Sequence, residues 1–206
     1  AENLFWIARY IERAESMARL IEMGCRMAML PTFASREEWR SILIAAQANR
    51  HPLLDRRVNE AEVINELMLN LENPSSIASC LKSARNNGRN VRSAITQEMW
   101  EALNDGWGRL SNIDGVSVQR DLPSLLDWIK QHSSVFRGAA ETGMIRDDGY
   151  NFLRIGGALE RADMTLRLLD IKYYVLLPEI DKIGGGRDHH QWTSILHALS
   201  ATRAYQ

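Results

Sequence analysis

The sequence predicts an all-α protein, a helical bundle containing an internally duplicated helix pair whose second copy is truncated. Three observations carry this. Apolar residues recur at spacings of three and four along most of the chain, no segment alternates apolar and polar with the period of a strand, and two distant segments match without a gap.

The first helix is written by Leu4, Ile7, Ile11, Ala14, Ala18, Ile21, Cys25 and Ala28 and should end before Pro31, because proline disfavours helical geometry in the residue before it. At the rise of an α-helix it is roughly 40 Å long. Ser35 and Glu38 have the spacing of a capping box opening a second helix through Trp39, Ile42 and Leu43, limited by Pro52. A short helix is expected over Ala61 to Leu71, and Asn73-Pro74-Ser75 restarts the chain into a helix from Ile77 to about Ile95, with Gly88 a weak point inside it. Thr96 precedes a helix through Met99, Trp100 and Leu103, a loop covers Asn112 to Gly115, and helical spacing returns from Leu122 to about Ala140. Gly143 to Gly149 forms a turn, and Gly184 to Gly186 a flexible connector ahead of a helix that Asp188 should N-cap.

The repeat aligns Asn3 to Met27, NLFWIARYIERAESMARLIEMGCRM, with Asn151 to Val175, NFLRIGGALERADMTLRLLDIKYYV. Ile7 meets Ile155, Glu12-Arg13 meets Glu160-Arg161, Glu15 meets Asp163, Arg19 meets Arg167, and Glu22 meets Asp170. Leu30-Pro31 corresponds to Leu177-Pro178, and Trp39 to Leu43 corresponds to Trp192 to Leu196. We therefore read residues 1–206 as one domain with a repeat unit at 3–50, connecting helices at 59–142 and a partial second copy at 151–206, which a continuation of the chain or another chain would complete.

At about 100° per residue, Glu12, Glu15, Arg19, Glu22 and Arg26 fall within an arc of roughly 80°. Glu160, Asp163, Arg167, Asp170 and Tyr174 reproduce this stripe. A solvated helix face with ion pairs four residues apart is the simplest reading. Arg13 and Arg161 project away from the stripe among apolar residues, so both should be buried and need carboxylate partners; an inter-helix clamp is preferred to a ligand role. If the two stripes face each other, Glu12, Glu15, Glu160 and Asp163 converge. Four carboxylates could then hold Mg or Mn, as an alternative to no cofactor at all. A di-iron site is disfavoured, since the chain has no Glu-x-x-His.

Arg85, Arg89 and Arg92 share one helix face ahead of Glu98 and Glu101, and either pair with these acids or bind a phosphate or a carboxylate-bearing peptide. His189 and His190 read as exposed first-turn residues, and His51, His132 and His197 carry no specific signal. No nucleophile elbow, phosphate loop, dinucleotide fingerprint or zinc-protease motif is present. Cys25 and Cys80 have no metal-ligand spacing and read as reduced thiols of a cytoplasmic protein. Formal net charge is -1, with 25 basic and 26 acidic residues, so neither nucleic acid nor a membrane surface is an expected partner. Charges at Glu12, Arg13, Glu15, Arg19 and Glu22 keep the first helix from spanning a bilayer.

The stretches NLFWIARYIERAESMARLIE, EMWEALN and GGALERADMTLRLLDIKYYVLLP resemble the alpha-E family of bacterial proteins, an all-helical domain with a Glu-Arg motif. The resemblance places that motif on Glu12-Arg13 and Glu160-Arg161, with Arg85, Arg89, Arg92, Glu98 and Trp100 in a second recurring region. It also implies longer relatives and association with an ATP-grasp-type amide ligase and a transglutaminase-like peptidase in a peptide-making or peptide-modifying system. Three functions are left open: an accessory or substrate-holding helical component, an enzyme using the Glu/Asp/Arg cluster, and a structural scaffold that can form a homo-oligomer.

Overall fold

The computed structural model describes residues 1–29, 35–46, 58–174 and 184–205, with the side chains at 35–38, 171, 173–174, 187 and 205 excepted. The expectations that rest on Pro31, the Ser35–Glu38 cap, His51, Pro52, the Tyr174 side chain and Leu177-Pro178 lie outside that set. Among the described residues there is no strand, and the elements are α1 (Glu2–Ala28), α2 (Ser35–Ala45), α3 (Glu60–Met68), α4 (Ile77–Asn90), α5 (Gln97–Leu110), α6 (Gly115–Gly143), α7 (Asp148–Tyr174), α8 (Gly186–Ala198) and α9 (Thr202–Tyr205). The protein is all-α.

Short polar side chains set the helix starts. Asn59 and Glu62 form a reciprocal capping box at α3, each side chain accepting from the other's backbone N–H, at 2.9 and 3.1 Å. Ser76 accepts from the N–H of Ser79 at α4, Thr96 from Met99 at α5, and Asp114 from Ser117 at α6. The Asp114 cap starts α6 seven residues earlier than Leu122, and the effect of Pro123 is a kink, with Asp121 outside helical geometry at φ -134°, ψ 32°. The helix expected to reach Ile95 stops at Asn90, and residues Arg92–Ala94 form a 3₁₀ turn. Gly88 does not break α4. A Cβ there would lie 2.5 Å from Leu103 Cδ1, so glycine lets α4 approach α5. Asp188 is not the N-cap of α8; Gly185 holds that position and Asp188 is the helix's third residue.

The chain divides into two compact units, each described separately: Ala1–Ala18 with Asn65–Ala162, and Arg19–Ile64 with Asp163–Gln206. In the first, Ile7, Ile11, Ala14, Leu67, Ile77, Leu103, Ile129 and Phe136 are buried. There α4 packs on α5 and α5 on α6. The start of α7 lies so close to the start of α1 that a Cβ on Gly156 would stand 2.2 Å from the Phe5 carbonyl oxygen.

In the second unit, Leu20, Ile21, Met27, Trp39, Ile42 and Leu43 form the core, and Gly24 of α1 leaves room for the Trp39 ring, 2.8 Å from where a Cβ would be. Lys172, fully buried, donates to Asp188 at 2.5 Å and to Gln191 at 2.8 Å. The Lys172 ammonium and the Gly184 N–H together hold the Asp188 carboxyl below its ordinary range.

Candidate functional site

In the first unit the two Glu-Arg dipeptides meet. The contacts join low numbers to low and high to high, Phe5 with Gly156, Arg9 with Glu160 and Glu12 with Arg161, so α1 and α7 run in the same direction here. Arg13 donates through Nε to Glu160 Oε1 at 2.6 Å and through a terminal nitrogen to Oε2 at 2.9 Å. Arg161 does the same to Glu12, at 2.9 and 3.1 Å. Each dipeptide thus supplies the acid for the other's base through a bidentate fork.

The two halves of this exchange are unequal. The Arg13 side chain is 14% exposed and that of Arg161 is 64% exposed. Arg161 was expected to be buried and is not, because the neighbouring α7 surface at Ala158 and Ala162 is open, whereas Arg13 has the buried Cys80 of α4 within electrostatic reach. Burial works against the charge on Arg13, but the hydrogen bond and charge of Glu160 hold its pKa above the ordinary value. At Arg161 the hydrogen bond donated to Glu12 has the same result. Burial pushes the Cys80 thiol up to about 12.

The stripe is not a solvated face at its centre. Glu12, Glu15 and Glu160 are all under a tenth exposed, because arginines outside the Glu-Arg dipeptides cover them. Arg9 donates to Glu160 at 2.7 Å, and Arg137 of α6 donates to Glu15 at 2.5 Å and Glu12 at 3.3 Å. Arg9 had a signal in the sequence, four residues before Arg13 on one helix face; Arg137 had none. Further along, Asp163 and Arg167 form the expected pair at 2.8 Å, and Glu22 and Arg26 pair at 2.7 Å. Arg19 is half-buried.

The convergence of Glu12, Glu15, Glu160 and Asp163 on a cation is not what the side chains form. The first three face guanidinium groups, Asp163 faces Arg167, and among the described residues no three His, Cys, Asp or Glu side chains are grouped to hold a metal ion. Nor do Arg85, Arg89 and Arg92 pair with Glu98 or Glu101. Glu98 turns to its own N–H and to Thr96, which lower its pKa, and Glu101 accepts from Gln97. Arg85 and Arg92 instead lie over the Trp100 ring, at 6.0 and 5.6 Å.

Beside the Glu-Arg exchange is a cleft of about 270 Å³, walled by α1, α6 and α7. Arg137, Arg154 and Arg161 bring positive charge to it, Glu12 and Glu141 negative charge, and Phe136, Tyr150 and Leu153 an apolar wall. Tyr150 donates its hydroxyl to Glu141 at 2.5 Å, which lowers the carboxyl's pKa and raises the phenol's. Arg154 is exposed and makes no ion pair among the described residues. Tyr150 and Arg154 carried no motif, and the cleft exists only because α6 and α7 meet α1.

Among the described residues, no helix is long and apolar enough to cross a membrane. A family model for a predicted alpha-helical domain with a conserved ER motif matches residues 1–206. No curated protein and no solved structure matches the chain.

Proposed function

The chain belongs to the Alpha-E family, and from that premise and the cleft beside its Glu-Arg exchange we propose that it is a substrate-holding helical component that binds an amino acid or short peptide. The single observation that carries this reading is the lining of the cleft: three arginines and two glutamates around one apolar wall, in a volume suited to a small zwitterion. Arg154, without an ion pair among the described residues, takes the ligand carboxylate; Glu141, exposed and already accepting from Tyr150 and Arg146, adds negative charge on the side of its ammonium; Tyr150 and Leu153 receive its side chain.

On this reading the Glu-Arg motif is structural. Glu12 and Glu160 each satisfy a guanidinium and fix α1 against α7, which sets the cleft wall. The ATP-grasp-type ligase and the transglutaminase-like peptidase implied by the family resemblance would act on what the cleft presents, in the cytoplasm. An enzyme using the Glu-Arg cluster, with Mg or Mn, would need a carboxylate free of guanidinium, and Glu12, Glu15 and Glu160 are not.

Calorimetric titration of a dipeptide with free termini, against the same dipeptide carrying a C-terminal amide, tests the proposal. Loss of one charge-assisted contact should weaken binding about tenfold for the amide, and Arg154→Ala should weaken the free dipeptide by a similar factor. Equal binding of acid and amide, or no binding of either, refutes it.

A further inference from the structure

The α4 segment carries a second charged surface that the cleft does not use. Residues 73–97 contain Lys82, Arg85, Arg89 and Arg92 and not one Asp or Glu, in a chain whose net charge is -1. The cations are spaced three, four and three residues apart, so they form one row along α4 and into the 3₁₀ turn. Lys82 and Arg89 are exposed, Arg85 and Arg92 half-buried, and none of the four makes an ion pair among the described residues.

Three of the four are held in place from α5. Lys82 lies over the Trp107 ring at 5.8 Å, and Arg85 and Arg92 lie over Trp100. Arg85 also donates to Asn104 Oδ1 at 2.7 Å, and Arg92 donates to Gln97. Indole faces and amides fix these long side chains without neutralising them. A cation whose position is set in advance loses less side-chain freedom when a carboxylate arrives.

We infer that the α4–α5 face, through Lys82, Arg85, Arg89 and Arg92, is a docking surface for an acidic polypeptide segment. Charge complementarity selects an anion, and the spacing selects its form. A partner helix with carboxylates three and four residues apart has the same rise, and so can meet successive cations. Nucleic acid fits less well: Trp100 and Trp107 are already engaged by cations and are not open platforms for base stacking, and four charges supply little of the counterion release on which such binding depends.

Fluorescence anisotropy with fluorescein-labelled poly-L-glutamate, on the 206-residue chain at low salt, reads this directly. Lys82→Glu with Arg89→Glu should weaken binding by about tenfold or more, and added salt should weaken the wild type. Lys82→Gln with Arg89→Gln should fall between, and circular dichroism checks that each variant is folded. Arg154→Ala, in the cleft, should leave poly-L-glutamate binding unchanged, so failure of this inference and failure of the cleft reading are separable. No binding of poly-L-glutamate, binding indifferent to both double variants, or tighter binding of labelled oligo(dT) overturns the inference.

Discussion

Replacing Glu160 by Gln keeps the shape of the side chain and removes the acid that Arg13 and Arg9 share. Glu160 is 4% exposed and accepts three hydrogen bonds from those two arginines. Arg13, with its side chain 14% exposed, cannot reach bulk water in place, so it is left as a mostly buried and uncompensated cation. Removing one partner of a buried pair costs about 3–5 kcal/mol, and the partial exposure of Arg9 places the expected loss near the lower figure, about 3 kcal/mol. The mirror-image pair should behave differently. Arg161 is 64% exposed and Glu12 keeps Arg137 when Arg161 is removed, so Arg161→Ala should cost about 0.5 kcal/mol. The assay is urea denaturation followed by circular dichroism, with double-mutant cycles on Arg13/Glu160 and on Glu12/Arg161. A coupling several times larger for Arg13/Glu160 is expected. Equal couplings in the two cycles, or a loss below about 0.5 kcal/mol for Glu160→Gln, would refute the reasoning from burial.

Adjacent glycines of α7 offer a paired test of helix packing. Gly156→Ala puts a methyl group 2.2 Å from a backbone oxygen that has no rotamer to escape into, and should destabilise by about 3 kcal/mol or more, whereas Gly157→Ala meets nothing within 4 Å and should stabilise by up to about 1 kcal/mol; thermal melts of the two variants give opposite signs if this packing is right. His132 supplies a pH test. Burial lowers its pKa below the ordinary 6.5, so the unfolded chain binds the proton more readily and stability falls as pH drops from about 6.5 toward the folded-state value. His132→Gln should flatten that slope in denaturation curves taken across the acid range, and an unchanged slope would assign the acid loss to other groups.

Much of the fold was legible along the chain. Three- and four-residue spacing located the helices, and the helix expected after Thr96 starts there, with Thr96 as its cap. The exceptions have local reasons. Gly88 reads as a helix breaker until Leu103 is seen to need the space, and Asp188 reads as a cap until buried Lys172 is seen to need a counterion. At the site, the matching dipeptides marked Glu12, Arg13, Glu160 and Arg161 as residues of one kind, and the need of a buried guanidinium for a carboxylate pointed to an inter-helix clamp without naming the acids that form it.

What the sequence by itself determined is therefore a matter of period and charge: helices, the apolar stripe of α1, and two matching Glu-Arg dipeptides. Only the tertiary structure decided depth and company. Angular position around a helix says which residues share a face but not what covers that face, so Glu12 and Glu160 could be read as solvated until α6 and α1 brought Arg137 and Arg9 over them. For the same reason Arg13 and Arg161, which carry the same Glu-Arg dipeptide in sequence, ended at 14% and 64% exposure. The cleft lined by Tyr150 and Arg154 belongs to no segment; it is a space between three helices, and a space has no sequence.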